Sequence, residues 1–234
     1  MTSLTYSGDN NFNSKENIKD NIIRIFIIYS SISVIILTLL NISGLRLFNS
    51  LNMTMSLTSG GGFLPSDSIK NIIETNFQKL VFIFSLLVSM LNFYLLFNIF
   101  NKKTLLKEHR EDLYLLILTI ILFALIYFNN YKGLDIIASV ISSIANSGLT
   151  LVNTDNNLSL YFLLLTIIGG SLISNTSGIK YTRFYILLKI TSSEIIKLIS
   201  PNSIINKSIF GSDKKISDEN IKISFLIFIS FFLS

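Results

Sequence analysis

The sequence contains no cysteine and no tryptophan, only two prolines and a single histidine. Without cysteine there are neither disulfides nor thiolate-held metals, although a chain without thiols is silent about its redox compartment. The one histidine, His109, stands in LLKEHRED beside Glu108, Glu111 and Asp112. No second His or Cys exists to complete a metal site or a nucleophile–base pair, so these residues read as a solvated loop and no enzyme activity is expected. Charge is scarce too. Only 14% of the residues are charged, where a soluble domain carries roughly a quarter, and the first-order class is therefore an integral membrane protein. The opening stretch MTSLTYSGDNNFNSKENIKD has no short apolar core and no small-residue cleavage site, so no signal peptide is expected and the spans themselves are expected to direct insertion.

What the chain has instead is long apolar runs: half of its 234 residues are hydrophobic and its mean hydropathy is +0.60. The run from Ile22 to Ile42 is about 21 residues, roughly 31 Å as a helix, which is enough to cross a ~30 Å hydrocarbon core. The hydropathy pattern predicts an all-α polytopic protein with two repeats. A cytoplasmic segment (1–21) precedes a first repeat (22–100) made of a span (22–42), a pore helix (45–57), a turn (58–62) and a span (78–100). After a cytoplasmic loop (101–112), a second repeat (113–199) has a span (113–128), a pore helix (134–144), a turn (145–149) and a broken span (158–199). A cytoplasmic loop (200–220) and the start of a further span (221–234) follow. The short pore helices are too short to span and suit segments that enter the membrane and turn back.

Basic residues orient this arrangement. With the N-terminus in the cytoplasm, all of the 19 Lys and Arg lie on inner segments except Arg46, Lys70, Lys79 and Lys132, as expected when cytoplasmic loops carry the excess. Both turns then face outward. The basic inner loops obey this rule or face anionic lipid, and no nucleic acid partner is expected.

Three stretches carry candidate chemistry. Thr58, Ser59, Gly60, Gly61 and Gly62 follow the T-x-G-x-G spacing of potassium-channel filters, in which rings of backbone carbonyls replace the hydration shell of the ion. A glycine triplet is also what a flexible turn contains. Ala145, Asn146, Ser147 and Gly148 form the equivalent turn of the second repeat, with one glycine and hence one unusual dihedral expected. The third stretch is GGSLISNTSGIK, from Gly169 to Lys180. Gly169 and Gly170 suit either close helix packing or a break, whereas Ser174, Asn175, Thr176 and Gly178 leave the helical pattern at membrane depth. Lys180 there costs about 2.5–3.5 kcal/mol unless it faces water or a partner. The expected use is a movable gating loop with Lys180 and Arg183 at its inner edge. Asp67 and Glu74, after the first turn, read as cation-attracting charges or as ordinary loop charges.

The motifs TSGGGF (Thr58–Phe63), GGSLISNTSGIKYTR (Gly169–Arg183) and LISPNSIINKSIFGSDKKISDENI occur in the order in which the Trk/Ktr/HKT potassium uptake family carries a filter turn, an intramembrane loop and a cytoplasmic segment. The chain resembles a pore-forming subunit of that family from about Lys15 onward. The resemblance implies a pore of four linked repeats, of which this chain holds the second and third and the start of the fourth. Ile173 and Ser177 stand where the family has glycine and Asn175 where it has threonine, changes that stiffen the loop. The implied function is potassium transport, by channel-like or coupled flux, in the plasma membrane. The carbonyls of Thr58–Gly62 and Ala145–Gly148 would be ligands for potassium as substrate, and no further metal or cofactor is expected. The implied partners are the lipid bilayer, other polypeptides supplying the missing repeats, a second copy in a homodimer and a cytoplasmic nucleotide-binding regulatory subunit. The rival expectation is a non-conducting remnant or scaffold subunit.

Overall fold

The computed structural model describes residues 17–66, 68–93, 95–96, 110–128, 133–152, 156–200, 208–210 and 216–233. His109 and Asp67 lie outside these residues. Eight α-helices occur among the described residues: α1 (Asn17–Ile42), α2 (Leu47–Ser59), α3 (Asn76–Met90), α4 (Arg110–Phe128), α5 (Leu134–Ile144), α6 (Asn156–Ile167), α7 (Tyr181–Ile199) and α8 (Asp218–Leu233). Among them α1, over Ile25–Ile42, is long and apolar enough to cross a membrane by itself, and α3 and α5 are shorter apolar helices.

The helices form two groups that share one seam. In the first, α2 packs on α1, and α3 on both; in the second, α5 packs on α4 and α6, and α7 on α4 and α8. The seam is α3 against α5, so the last helix of the first group holds the short helix of the second. At its start α3 carries a capping box, with Gln78 N donating to Thr75 Oγ1 at 3.2 Å and Thr75 N to Gln78 Oε1 at 3.0 Å. The Gln78 amide also donates to Ser43 O at 3.3 Å, tying this cap to the end of α1.

The outside is apolar as well as the core, and hydroxyls are buried among the helices. Phe26 is 68% exposed and Leu163 63%, while Ser50, Ser85 and Ser139 are fully buried. Apolar side chains that face outward are at home when the solvent is lipid, and the inward hydroxyls need internal acceptors. They find them one helical turn back: Thr54 Oγ1 donates to Ser50 O at 2.7 Å, Ser85 Oγ to Val81 O at 2.8 Å and Ser143 Oγ to Ser139 O at 2.8 Å.

The second span was expected to be continuous over 78–100. Instead α3 stops at Met90, and Leu91 is extended at φ −77°, ψ 160°. No Gly or Pro interrupts QKLVFIFSLLVSMLNFYLLFNIF. The cause is long-range: Met90 O accepts from Ser171 N at 3.0 Å, Asn92 N donates to Asp112 Oδ1 at 3.0 Å, and Phe93 N donates to Ile173 O at 3.0 Å. Backbone groups that would have continued the helix are engaged elsewhere, a recognised cause of helix breaks. Residues 97–100 lie outside the described residues.

Candidate functional site

The first turn begins where α2 ends. Gly60 caps that helix in the left-handed conformation (φ 67°, ψ 27°) with its N–H on Ser56 O. Gly61 N also reaches Ser56 O at 3.0 Å, and Gly62 is again left-handed at φ 69°. The hydroxyls beside the turn are used within the protein. Thr58 Oγ1 donates to Thr54 O at 2.9 Å and accepts from Tyr29 of α1 at 3.4 Å, and Ser59 Oγ donates to Met55 O at 2.7 Å.

The second turn repeats this backbone with other side chains. After α5, Ala145 N donates to Ile141 O at 2.8 Å, Asn146 N to Ser143 O at 3.2 Å and Ser147 N to Ser142 O at 3.1 Å. One unusual dihedral was expected here and two occur: Asn146 is left-handed at φ 53° as well as Gly148 at φ 69°. Asparagine is the side-chain-bearing residue that tolerates this region best, which its composition as a single-glycine turn conceals. Serines brace the turn from below. Ser142 Oγ lies 2.7 Å from Ser147 Oγ and donates to Leu149 O, and Leu151 N donates to Ser139 Oγ at 3.1 Å.

The two turns meet backbone to backbone. A Cβ on Gly62 would lie 2.8 Å from Ser147 O and 3.7 Å from the Gly148 Cα, and one on Gly60 would lie 3.8 Å from Asn146 O and 3.7 Å from Asn175 O. At Gly62 the missing side chain is therefore a spatial necessity as well as a dihedral one, because the carbonyl of the opposite turn occupies that space.

The third stretch closes on the same place. Between α6 and α7 the chain forms a loop pinned at its neck: Gly169 N donates to Ile179 O at 2.8 Å and Ile179 N to Ile167 O at 3.0 Å. Gly170 N donates to Thr176 Oγ1 at 2.8 Å, and Ser174 Oγ donates to Ser171 O at 2.7 Å. Gly169 and Gly170 are not a helix-packing surface. They lie beyond the end of α6, and a Cβ on them would come within 2.3 Å of Ser177 O and 2.6 Å of Met90 O respectively. Gly178 (φ 78°) passes under Asn146, whose Nδ2 donates to Ser177 O at 3.3 Å. The Asn175 amide donates to Thr58 O. Segments more than a hundred residues apart thus converge, and the Thr58 carbonyl, expected to be open toward an ion, is held by the loop in this conformation.

Lys180 folds back into the loop that precedes it, with its Nζ donating to Ser174 O at 2.9 Å and to Thr176 O. The partner its position demands is the loop backbone. Arg183, one turn along α7, is part-buried, and its Nε has no hydrogen-bond partner among the described residues. Glu111 and Asp112 depart from the sequence reading. They are not solvated loop charges: Leu172 N donates to Glu111 Oε1 at 2.8 Å, while Asp112, 2% exposed, takes Asn92 N at the α3 break. Two acids immediately before a long apolar run were the available signal, since acids favour a helix N-terminus. Tyr29, Ser139 and Ser142 were also missed, because nothing in a single hydroxyl residue on an apolar helix points to a distant turn.

No family model matches the chain. An uncharacterized cation transporter of Methanocaldococcus jannaschii is 31% identical over 221 residues, covering 91% of this chain and 44% of that protein. The crystal structure of the potassium transporter TrkH from Vibrio parahaemolyticus superposes with a TM-score of 0.79 at 18% identity, covering 93% of this chain and 49% of that one. The chain thus spans about half the length of each relative. The likeness fixes the architecture: this chain is an all-α polytopic membrane protein with the fold of about half of a TrkH-type transporter.

Proposed function

We propose that the chain supplies two of the four repeats of a Trk-type potassium pore, with the turns Thr58–Gly62 and Ala145–Gly148 as two quarters of the selectivity filter. The observation that carries this reading is the pairing of the turns: each has left-handed residues at the same two places, and Gly62 stands against the Ser147 carbonyl. Backbone held so close, with side chains excluded, is what a filter of carbonyl ligands requires. The transporter named in each comparison supports cation transport rather than enzymatic chemistry. Potassium is the substrate, the membrane is the plasma membrane and the N-terminus is cytoplasmic, in keeping with the distribution of Lys and Arg.

In this reading the loop from Gly169 to Lys180 is the gate, and the conformation described is closed, since Asn175 occupies Thr58 O. Conduction requires that amide to leave. The remaining repeats come from further residues of the same polypeptide or from another chain. The pore pairs as a homodimer and answers to a cytoplasmic nucleotide-binding subunit. One observation favours the rival reading, a scaffold that does not conduct: the loop is fastened to both turns and to the broken end of α3.

Growth at limiting potassium separates the two. A strain deficient in potassium uptake is given this chain with and without the adjoining coding sequence. Rescue with the adjoining sequence supports the pore, and failure of both arms despite membrane-inserted protein refutes it.

A further inference from the structure

The segment Ser208–Phe210, in the region expected to be a cytoplasmic loop, is not free of the helices. The Phe210 ring lies 4.3 Å from Tyr185, 5.6 Å from Tyr181 and 5.4 Å from Tyr114, with interplanar angles of 25°, 17° and 24°. Tyr181 and Tyr185 belong to the first turns of α7, and Tyr114 belongs to α4. Phe210 is therefore a wedge, 5% exposed, between the two helices. Its backbone is left-handed at φ 47°, a conformation that a bulky residue keeps only where its surroundings impose it. The surroundings do so from both helices. Arg110 Nη1 of α4 donates to Phe210 O at 3.4 Å, and Lys189 of α7 donates to Ser208 O.

The position of the wedge gives it a use. Tyr181, which it stacks on, donates its N–H to Gly170 O at 3.1 Å, and the preceding residue, Lys180, holds Ser174 O and Thr176 O. The C-terminal anchor of the loop and the aromatic stack thus share Tyr181, with Lys180 immediately before it. Offset-stacked rings favour one relative placement of the elements they join, so seating Phe210 sets α7 against α4, and α7 carries the anchor of the loop.

We infer that Phe210 is a positioning residue: seated among Tyr114, Tyr181 and Tyr185, it holds the loop Gly169–Lys180 against the two turns, and withdrawal of the segment 208–210 releases that loop. The inference rests on the reading of the loop as the gate only for its effect on transport; the mechanical link is independent of it.

The chain has no native cysteine, so Ser174→Cys provides a single thiol on the loop. The full chain, in membranes and with the repeats it assembles with, is treated from the cytoplasmic side with a membrane-impermeant thiosulfonate, and the labelling rate is measured. Phe210→Ala is expected to raise that rate at least about fivefold, the lower end of coupling between linked sites, while Phe210→Tyr, which keeps the stack, stays close to the parent. Tyr185→Leu, which removes the nearest ring, provides the same test where Phe210→Ala does not fold, with the same rise expected. Unchanged labelling in a folded variant lacking either ring overturns the inference. Rubidium uptake measured on the same proteins separates the two readings: raised labelling with no uptake by any variant or by the parent leaves the link standing and defeats the pore, whereas uptake by the parent with unchanged labelling does the reverse.

Discussion

Gly60-Gly61-Gly62 and Asn146-Ser147-Gly148 are one backbone written in two sequences. Both follow a short helix, both are left-handed at their first and third residues, and in both the middle N–H returns to a carbonyl five residues back, Ser56 O and Ser142 O. Their side chains differ, and so do their attachments. The first turn offers no side chain of its own and is reached by the loop through Asn175 on Thr58 O. The second reaches for the loop itself, through Asn146 on Ser177 O, and is braced from behind by Ser142. The comparison separates what the backbone needs from what the neighbours permit: position 146 shows that the first residue of the turn tolerates asparagine, whereas glycine at position 62 is demanded by the opposite carbonyl.

Breaking the turn at Gly62 is expected to do most damage. Gly62→Ala places a Cβ 2.8 Å from Ser147 O in a left-handed residue. The dihedral alone costs about 1–3 kcal/mol. At about 1.4 kcal/mol per tenfold, transport should fall by an order of magnitude or more, with a lowered thermal midpoint read on the purified protein. Ser142→Ala attacks the brace of the second turn and leaves the buried Ser147 hydroxyl and Leu149 carbonyl without that partner. The expected loss is about 1–3 kcal/mol for the buried groups left unsatisfied, measurable as a drop in thermal midpoint, with no counterpart in the first turn. Gly61→Ala should cost less, because its Cβ meets only the side chains of Phe63 and Ser59 at 3.1 Å and its φ is not left-handed. Rotation of the Phe63 ring absorbs this contact, and uptake should stay within a few-fold of the parent. Smallest of all is Gly60→Asn, which copies the second turn into the first. The Cβ there has only ordinary contacts at 3.7 and 3.8 Å, and asparagine avoids most of the ~1–2 kcal/mol that other L residues pay in this conformation. A large loss of stability from Gly60→Asn would show that the equivalence of the two turns is false.

The sequence made the class of the molecule legible, because scarce charge and long apolar runs leave few alternatives to a polytopic helical protein. It made the glycine turn at 60–62 legible for the same kind of reason, a composition unlike its surroundings. What stayed hidden was decided over distance. The break of α3 at Met90 has no local cause and depends on Ser171, Asp112 and Ile173. The left-handed Asn146 was masked because asparagine is ordinary in any loop, and the burial of Glu111 and Asp112 against the loop was masked because acids beside a histidine and an arginine look solvated. Phe210 is the extreme case: an apolar residue in a loop of mixed composition, placed among three tyrosines drawn from two helices.

The central claim is that the paired turns select the ion. It is tested most directly by the ratio of rubidium to sodium uptake in cells expressing the parent and Gly62→Ala, each at matched amounts of membrane-inserted protein and with the remaining repeats present. The account predicts uptake that favours rubidium in the parent and loses that preference in the variant. Equal ratios in the two proteins, or uptake by neither, would contradict it.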